Sequence, residues 1–249
     1  MGLLGGLKNS IAFLTIIPVG MDSDGVIQAA RYMPIFPLIG AFVGFAAGTL
    51  VWGLSHFLPN LLVGALGLGF LLLVNGVQNT DGLLDFGDAL MCHGSRRRKL
   101  RVMRDPHTGA GGFALGLIVL LATALAIASL DNTKAIERLV AVEAAAKFSM
   151  VLEAGLGKSA QKGINTFFVR TMHARRQLCL GTSFVLFFAI SALALQVTGF
   201  IVCLIAIGTT VVMLALATRA FGGITGDVMG ATNEVTRLIA MIAILVSTR

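Results

Sequence analysis

Three of the chain's twelve acidic residues fall within eight positions, in the run Thr80 to Gly94, TDGLLDFGDALMCHG, directly after an apolar stretch. Asp81, Asp85 and Asp88 are spaced i, i+4 and i+7, which on an α-helix puts the three carboxylates within about 60° of arc. Like charges held that close repel, and at a membrane boundary the arrangement is costly unless a cation lies between them. Oxygen-only ligation suits Mg²⁺ or Mn²⁺ rather than zinc, and Mg²⁺ commonly takes a few carboxylates together with phosphate oxygens of a substrate. The plainer alternative is a solvated acidic turn neutralised by the Arg96 to Lys99 cluster that follows.

Two further stretches carry polar chemistry. In MRDPHTGAGG, Arg104 and Asp105 precede Pro106, which reads as a helix start with Asp105 as N-cap and proline at the first position. Gly109, Gly111 and Gly112 then open an apolar helix whose free N–H groups and positive dipole end suit a phosphate, with close helix packing as the simpler role. In FGGITGDVMGATNEVTR, a tight turn at Gly222, Gly223 and Gly226 leads through Thr225 to Asp227 and Glu234. Seven residues separate these two acids, so they share a face of a continuous helix and form the second wall of a metal and phosphate site. His93, His107 and His173 have no His or Cys partner at metal spacing and read as loop residues.

The elements that hold these motifs are membrane helices. Of the 249 residues, 56% are hydrophobic and 12% charged, and the mean hydropathy is +0.89, the signature of an integral membrane protein. Spans of roughly 20 residues are expected at about 35–57, 61–78, 109–130, 178–196 and 199–217, with a charged one at about 136–155 that belongs inside a bundle. The last run, LIAMIAILVS, is either a longer helix or a partial span, and IAFLTIIPVG near the start lies in the interface or re-enters. The expected fold is an all-α polytopic bundle of six to seven transmembrane helices plus interfacial ones, forming a single domain over residues 1–249. With the charged span counted, Lys8, Arg31, the Arg96 to Arg104 cluster, Lys158 to Arg176, Arg219 and Arg237 fall on one side, which the positive-inside rule assigns to the cytoplasm. The net charge of +7 is therefore topology, and nucleic-acid binding is excluded, since few aromatics accompany the basic loops. Cys92, Cys179 and Cys203 have no disulfide or C-x-x-C pattern. No cleavage site follows the first apolar stretch, so no removed signal peptide is expected.

With FLTIIPVG, FPLIGAFVG, DGLLDFGDAL, MRDPHTGAGG and GGITGDVMGATNE in this order, the sequence resembles the cobalamin synthase (adenosylcobinamide-GDP ribazoletransferase) family over most of its length. The resemblance implies a Mg²⁺-dependent multi-pass enzyme of the inner cell membrane with its active face in the cytoplasm. It would join α-ribazole, or its 5′-phosphate, to adenosylcobinamide-GDP with loss of GMP. Asp81, Asp85 and Asp88 are then the expected Mg²⁺ ligands, and Asp85, Asp88 and Asp227 the candidate catalytic carboxylates. Arg104, Asp105, Gly109, Gly111, Lys158, Thr225 and Glu234 are expected to contact substrate, the cations neutralising the departing GMP. A homo-oligomer is compatible with the sequence. The competing enzyme readings are a CDP-alcohol phosphotransferase, whose D-G-x-x-A-R element is not matched at Leu84 and Asp85, and an aspartate-rich prenyltransferase. The competing non-enzyme reading, a cation transporter, draws on Glu143 and Lys147 in mid-span.

Overall fold

Where glycine, proline and polar residues interrupt the apolar runs, the chain turns from one helix into the next. The computed structural model describes residues 2–247, and among them there is no strand, only one parallel bridge between Ser159 and Ile224. In chain order the helices are α1 (Leu3–Leu14), α2 (Gly25–Arg31), α3 (Phe36–Leu54), α4 (Asn60–Val74), α5 (Gln78–Met91), α6 (Arg96–Val102), α7 (Ala110–Ala128), α8 (Ala135–Leu156), α9 (Ile164–Ala174), α10 (Arg176–Leu195), α11 (Val197–Phe221) and α12 (Gly226–Ser247).

Five of them are long and apolar enough to cross a membrane: α3 with the 3₁₀ turn Met33–Ile35 ahead of it, α7, α10, α11 and α12. The run LIAMIAILVS is the second half of α12, a helix of 22 residues. α8 carries Glu137, Arg138, Glu143, Lys147 and Glu153, yet its 22 residues span about 33 Å and 17 of them are buried. It is the central post of the bundle, with α3, α10, α11 and α12 packed round it. Gly40, Gly44 and Gly48 of α3 lie directly on the α8 backbone at Glu143, Leu139 and Ile136, the close approach that small residues permit where no water drives helices together. A charged helix is stable here because protein, not lipid, surrounds it.

α4 and α5 pass the length-and-composition test only together, and their axes are bent by 96° at the break. α4 ends in a Schellman motif: the Val77 N–H bonds the Leu72 carbonyl at 3.0 Å and the Gly76 N–H bonds that of Leu73 at 2.9 Å. Gly76 supplies the left-handed residue this requires, at φ 69°, and Val77 also sits at φ 61°, an unusual conformation for a β-branched residue. After the bend α5 packs against α7 and α12 near their starts, Gly87 against Gly112 and Leu115 and Gly82 against Asp227.

The same end of the bundle gathers the starts of α3, α7, α10 and α12, the ends of α4, α8 and α11, and the short helices α1, α2, α6 and α9. It also carries most basic residues outside the bundle core, while the α7–α8 connection at the far end has Lys134 and, one turn into α8, Arg138. Arg237 corrects the sequence expectation: it is the twelfth residue of α12, fully buried in mid-bundle, and not a charge of the basic face.

Candidate active site

α5 forms one wall of the candidate site, and its three aspartates do share a face, but their surroundings differ. Asp88 is turned to the start of α7: its two carboxylate oxygens accept the N–H groups of Gly109, at 2.6 Å, and Gly112, at 2.8 Å. A carboxylate at a helix N-terminus satisfies orphan donors and complements the dipole. The glycine N–H groups expected to hold a phosphate are therefore occupied by Asp88. Gly111 packs against Met91 and the Gly87 carbonyl. The helix begins at Ala110, with Gly109 as N-cap, rather than at Pro106. Asp105 is likewise not the cap; it lies exposed in a turn, accepting the His107 N–H at 3.0 Å and pairing with its Nδ1 at 2.9 Å.

Asp85 has no cation within salt-bridge distance among the described residues. Burial, followed by the negative charges of Asp81, Asp227 and Asp88, pushes its carboxyl up to about 7. The Arg96 to Lys99 cluster does not neutralise these acids: Lys99 instead bonds the carbonyl of Leu90 at 2.9 Å, capping α5. The donor set of Asp81, Asp85 and Asp227 is oxygen-only and short of positive charge, which fits a hard divalent cation in kind. Among the described residues no three His, Cys, Asp or Glu side chains close round an ion by themselves, so substrate phosphate oxygens would have to complete the shell.

Asp227 stands on the first turn of α12, opposite α5. Its position depends on the glycine turn expected from the sequence and on a pairing that the sequence motifs do not reveal. Gly222 ends α11 in the left-handed region, at φ 86°, and Ile224 then zips to the 158–160 segment through Ile224 N–H to Lys158 O, 2.8 Å, and Ala160 N–H to Ile224 O, 2.9 Å. Asn165 of α9 adds a bond to the Ile224 carbonyl at 2.9 Å. Thr225 is buried under Asp227 rather than facing the site; its hydroxyl lies 3.2 Å from Asp227 Oδ2 and accepts the Val228 N–H at 3.2 Å. Lys158 contributes its backbone here, and its exposed side chain lines neither cavity described below.

Glu234, expected on the same wall as Asp227, is 1% exposed inside the bundle. It pairs with Arg237, which also pairs with Glu143 of α8, while Lys147 donates to Asn233 at 3.0 Å and Asn233 to Glu234 at 3.2 Å. The two glutamates, one arginine and one lysine balance in charge. Seven residues bring Asp227 and Glu234 to one helix face, but they also carry Glu234 two turns deeper, out of reach of the opening.

Two cavities flank the acids. One, of about 270 Å³, is lined by Phe13, Leu14, Met150, Ile164, Phe168 and Met229, by the amides of Asn75, Gln78, Asn79 and Asn165, and by Asp81 and Asp227. The other is a more open groove of about 620 Å³, lined by Arg96, Arg97, Arg101 and Arg104 together with Gln161 and Gly222. Arg104's positive charge acts on Asp227, so the groove lies beside the acidic wall. Sequence reasoning missed the amides. Their signal was VNGVQNTD, five polar side chains, three of them amides, crowded directly after an apolar helix.

Residues 6–245 match the family described as Cobalamin-5-phosphate synthase. The chain is 33% identical to the adenosylcobinamide-GDP ribazoletransferase of Methanocella arvoryzae, over 96% of this chain and 94% of that one. It is 31% identical to that of Methanococcoides burtonii, over 99% and 93%, and 32% identical to that of Thermococcus kodakarensis, over 93% and 94%. No solved structure matches.

Proposed function

The chain belongs to the cobalamin-5-phosphate synthase family, and we propose that it joins α-ribazole, free or as its 5′-phosphate, to adenosylcobinamide-GDP at the cytoplasmic face of the inner cell membrane, releasing GMP. The observation that carries this reading is a pair of acids, Asp81 and Asp227, on the wall of a cavity without cations, with Asp85 beside them on α5 and an arginine-lined groove nearby whose Arg104 acts on Asp227. Transfer from a diphosphate uses this polarity: the nucleophile approaches from one side of the phosphorus and the anionic leaving group departs on the other.

A ribose hydroxyl of α-ribazole attacks the corrinoid-side phosphorus. The new O–P bond forms as the bond to the bridging oxygen breaks, and GMP leaves with that electron pair. The proton passes to a carboxylate, and Asp227 is favoured for this because it lines the apolar cavity, whereas both oxygens of Asp88 are taken up by α7. Arg96, Arg97, Arg101 and Arg104 face the guanosine phosphates and offset the charge that develops on them. Asp81 and Asp85, with Asp227, would hold Mg²⁺, which when bound neutralises the diphosphate. A cation pathway is disfavoured because the mid-membrane charges it would draw on are fully buried, Glu143 paired with Arg237 and Lys147 bonded to Asn233.

The test is incubation of the purified protein in detergent with adenosylcobinamide-GDP, α-ribazole and Mg²⁺, with separation of the corrinoids. A complete cobamide and stoichiometric GMP, both lost on chelation, are expected; no cobamide under any metal condition overturns the assignment. In the active protein Asp227→Asn is expected to lower kcat by a factor of about 10² to 10⁴, read from the rate of GMP release.

A further inference from the structure

Resting on that reading, we propose that the 270 Å³ cavity is the nucleoside subsite: it takes the apolar base of α-ribazole between α1, α8, α9 and α12 and turns the ribose hydroxyls toward Asp227 and Asn75. The corrinoid then remains outside, at the open end of the bundle.

Size makes the first choice. A cavity of about 270 Å³ accommodates a two-ring base with its sugar and is far too small for a corrin macrocycle, whose nucleotide arm alone has to reach the acids. The walls make the second. Phe13 and Phe168 are 4.8 Å apart between ring centroids, and Met150, Met229, Leu14 and Ile164 complete an apolar sleeve, a lining suited to a flat aromatic ring system. No Lys, Arg or His is among the residues lining it, so nothing inside meets the guanosine phosphates; their chemistry is matched instead by the arginine groove.

Asn75 adds an independent sign of a missing ligand atom. It ends α4 and is 5% exposed, and its side-chain N–H₂ donates to the Leu71 carbonyl at 2.8 Å. Its side-chain oxygen is buried with no hydrogen-bond partner. A buried acceptor without a donor costs free energy, and groups of this kind in a cavity wall point to a ligand that supplies the donor. A ribose hydroxyl is such a donor; the benzimidazole ring, which has no N–H once it carries the sugar, is not. The base is thereby directed to the aromatic sleeve and the sugar to the Asn75 and Asp227 side.

The experiment is equilibrium binding of radiolabelled α-ribazole to the full-length protein in detergent, alongside steady-state kinetics. Ile164→Trp fills the cavity from its mouth, where Ile164 is 60% exposed, and Asn75→Leu removes the unmet acceptor. Each is expected to weaken α-ribazole binding, and raise its KM, by roughly ten-fold or more, with the KM for adenosylcobinamide-GDP unchanged within error. Free 5,6-dimethylbenzimidazole is expected to compete with α-ribazole and not with the corrinoid. Wild-type protein that makes cobamide while Ile164→Trp binds α-ribazole normally overturns the subsite and leaves the reaction standing. Wild-type protein that binds α-ribazole in a manner lost in Ile164→Trp, yet releases no GMP, overturns the reaction and supports the subsite. Loss of corrinoid affinity in both variants, or no α-ribazole binding by the wild type, also overturns the subsite.

Discussion

Asp85 and Asp88 sit three residues apart on α5, yet only Asp88 has its charge met by the protein itself. Asp88 holds the start of α7, so Asp88→Ala is expected to cost about 0.5–2 kcal/mol, as loss of a helix cap does, lowering the melting temperature in detergent whether or not Mg²⁺ is present. Asp85 behaves in the opposite way. Its carboxyl titrates near 7 in the fold, mainly because of burial and the neighbouring aspartates, against an ordinary value near 4 in the unfolded chain. The folded state therefore keeps this proton more readily, and the group's stabilising contribution, complete below the ordinary value, is lost as pH rises through about 7. In the presence of a chelator, Asp85→Asn is expected to melt above the wild type at pH 8 and to converge on it only toward pH 4. Added Mg²⁺ is expected to raise the wild-type melting temperature at pH 8 and to leave the variant nearly unmoved. An equal response of both proteins to Mg²⁺ would remove Asp85 from the proposed metal site.

Among the elements, α12 does the most positioning, because one end of it carries Asp227 and its middle is locked to α8 through Glu143, Arg237 and Glu234. Arg237→Ala leaves two carboxylates buried without their counter-ion, and a loss of about 3–5 kcal/mol is expected, seen as a lower melting temperature with GMP release reduced in parallel. What could be read from the sequence divides along the same line. The i, i+4, i+7 acids of α5, the all-helical membrane fold and the buried charged span follow from periods within one segment, and the structure has them. The start of α7 was misplaced because local rules favour Asp105 before Pro106, while the actual N-terminal partner, Asp88, comes from 21 residues upstream. Glu234 was misplaced for a similar reason: its environment is set by α8, whose Glu143 lies 94 residues before Arg237. The cavity was missed because its walls come from five separate helices, and no single stretch shows an enclosure.

At the scale of the whole molecule, charge is segregated with the site. The end holding α5, α6 and α9 carries the arginine groove, and it is the end that the proposed topology turns toward the cytoplasm. Cys92, partly exposed just beyond α5, makes this measurable, since Cys203 is buried and Cys179 lies at the same end as Cys92. A membrane-impermeant maleimide is expected to label Cys92 in inside-out vesicles and to fail in right-side-out cells; the reverse pattern would place the arginine groove outside the cell. The central α8 also bears on how such a protein is built. Within the buried quartet each helix brings one acid and one base, Glu143 with Lys147 on α8 and Glu234 with Arg237 on α12. Each can therefore enter the bilayer with these two charges offset within its own segment; α12 keeps its Glu234–Arg237 pair, and Arg237 takes Glu143 of α8 as a second partner once the two helices meet.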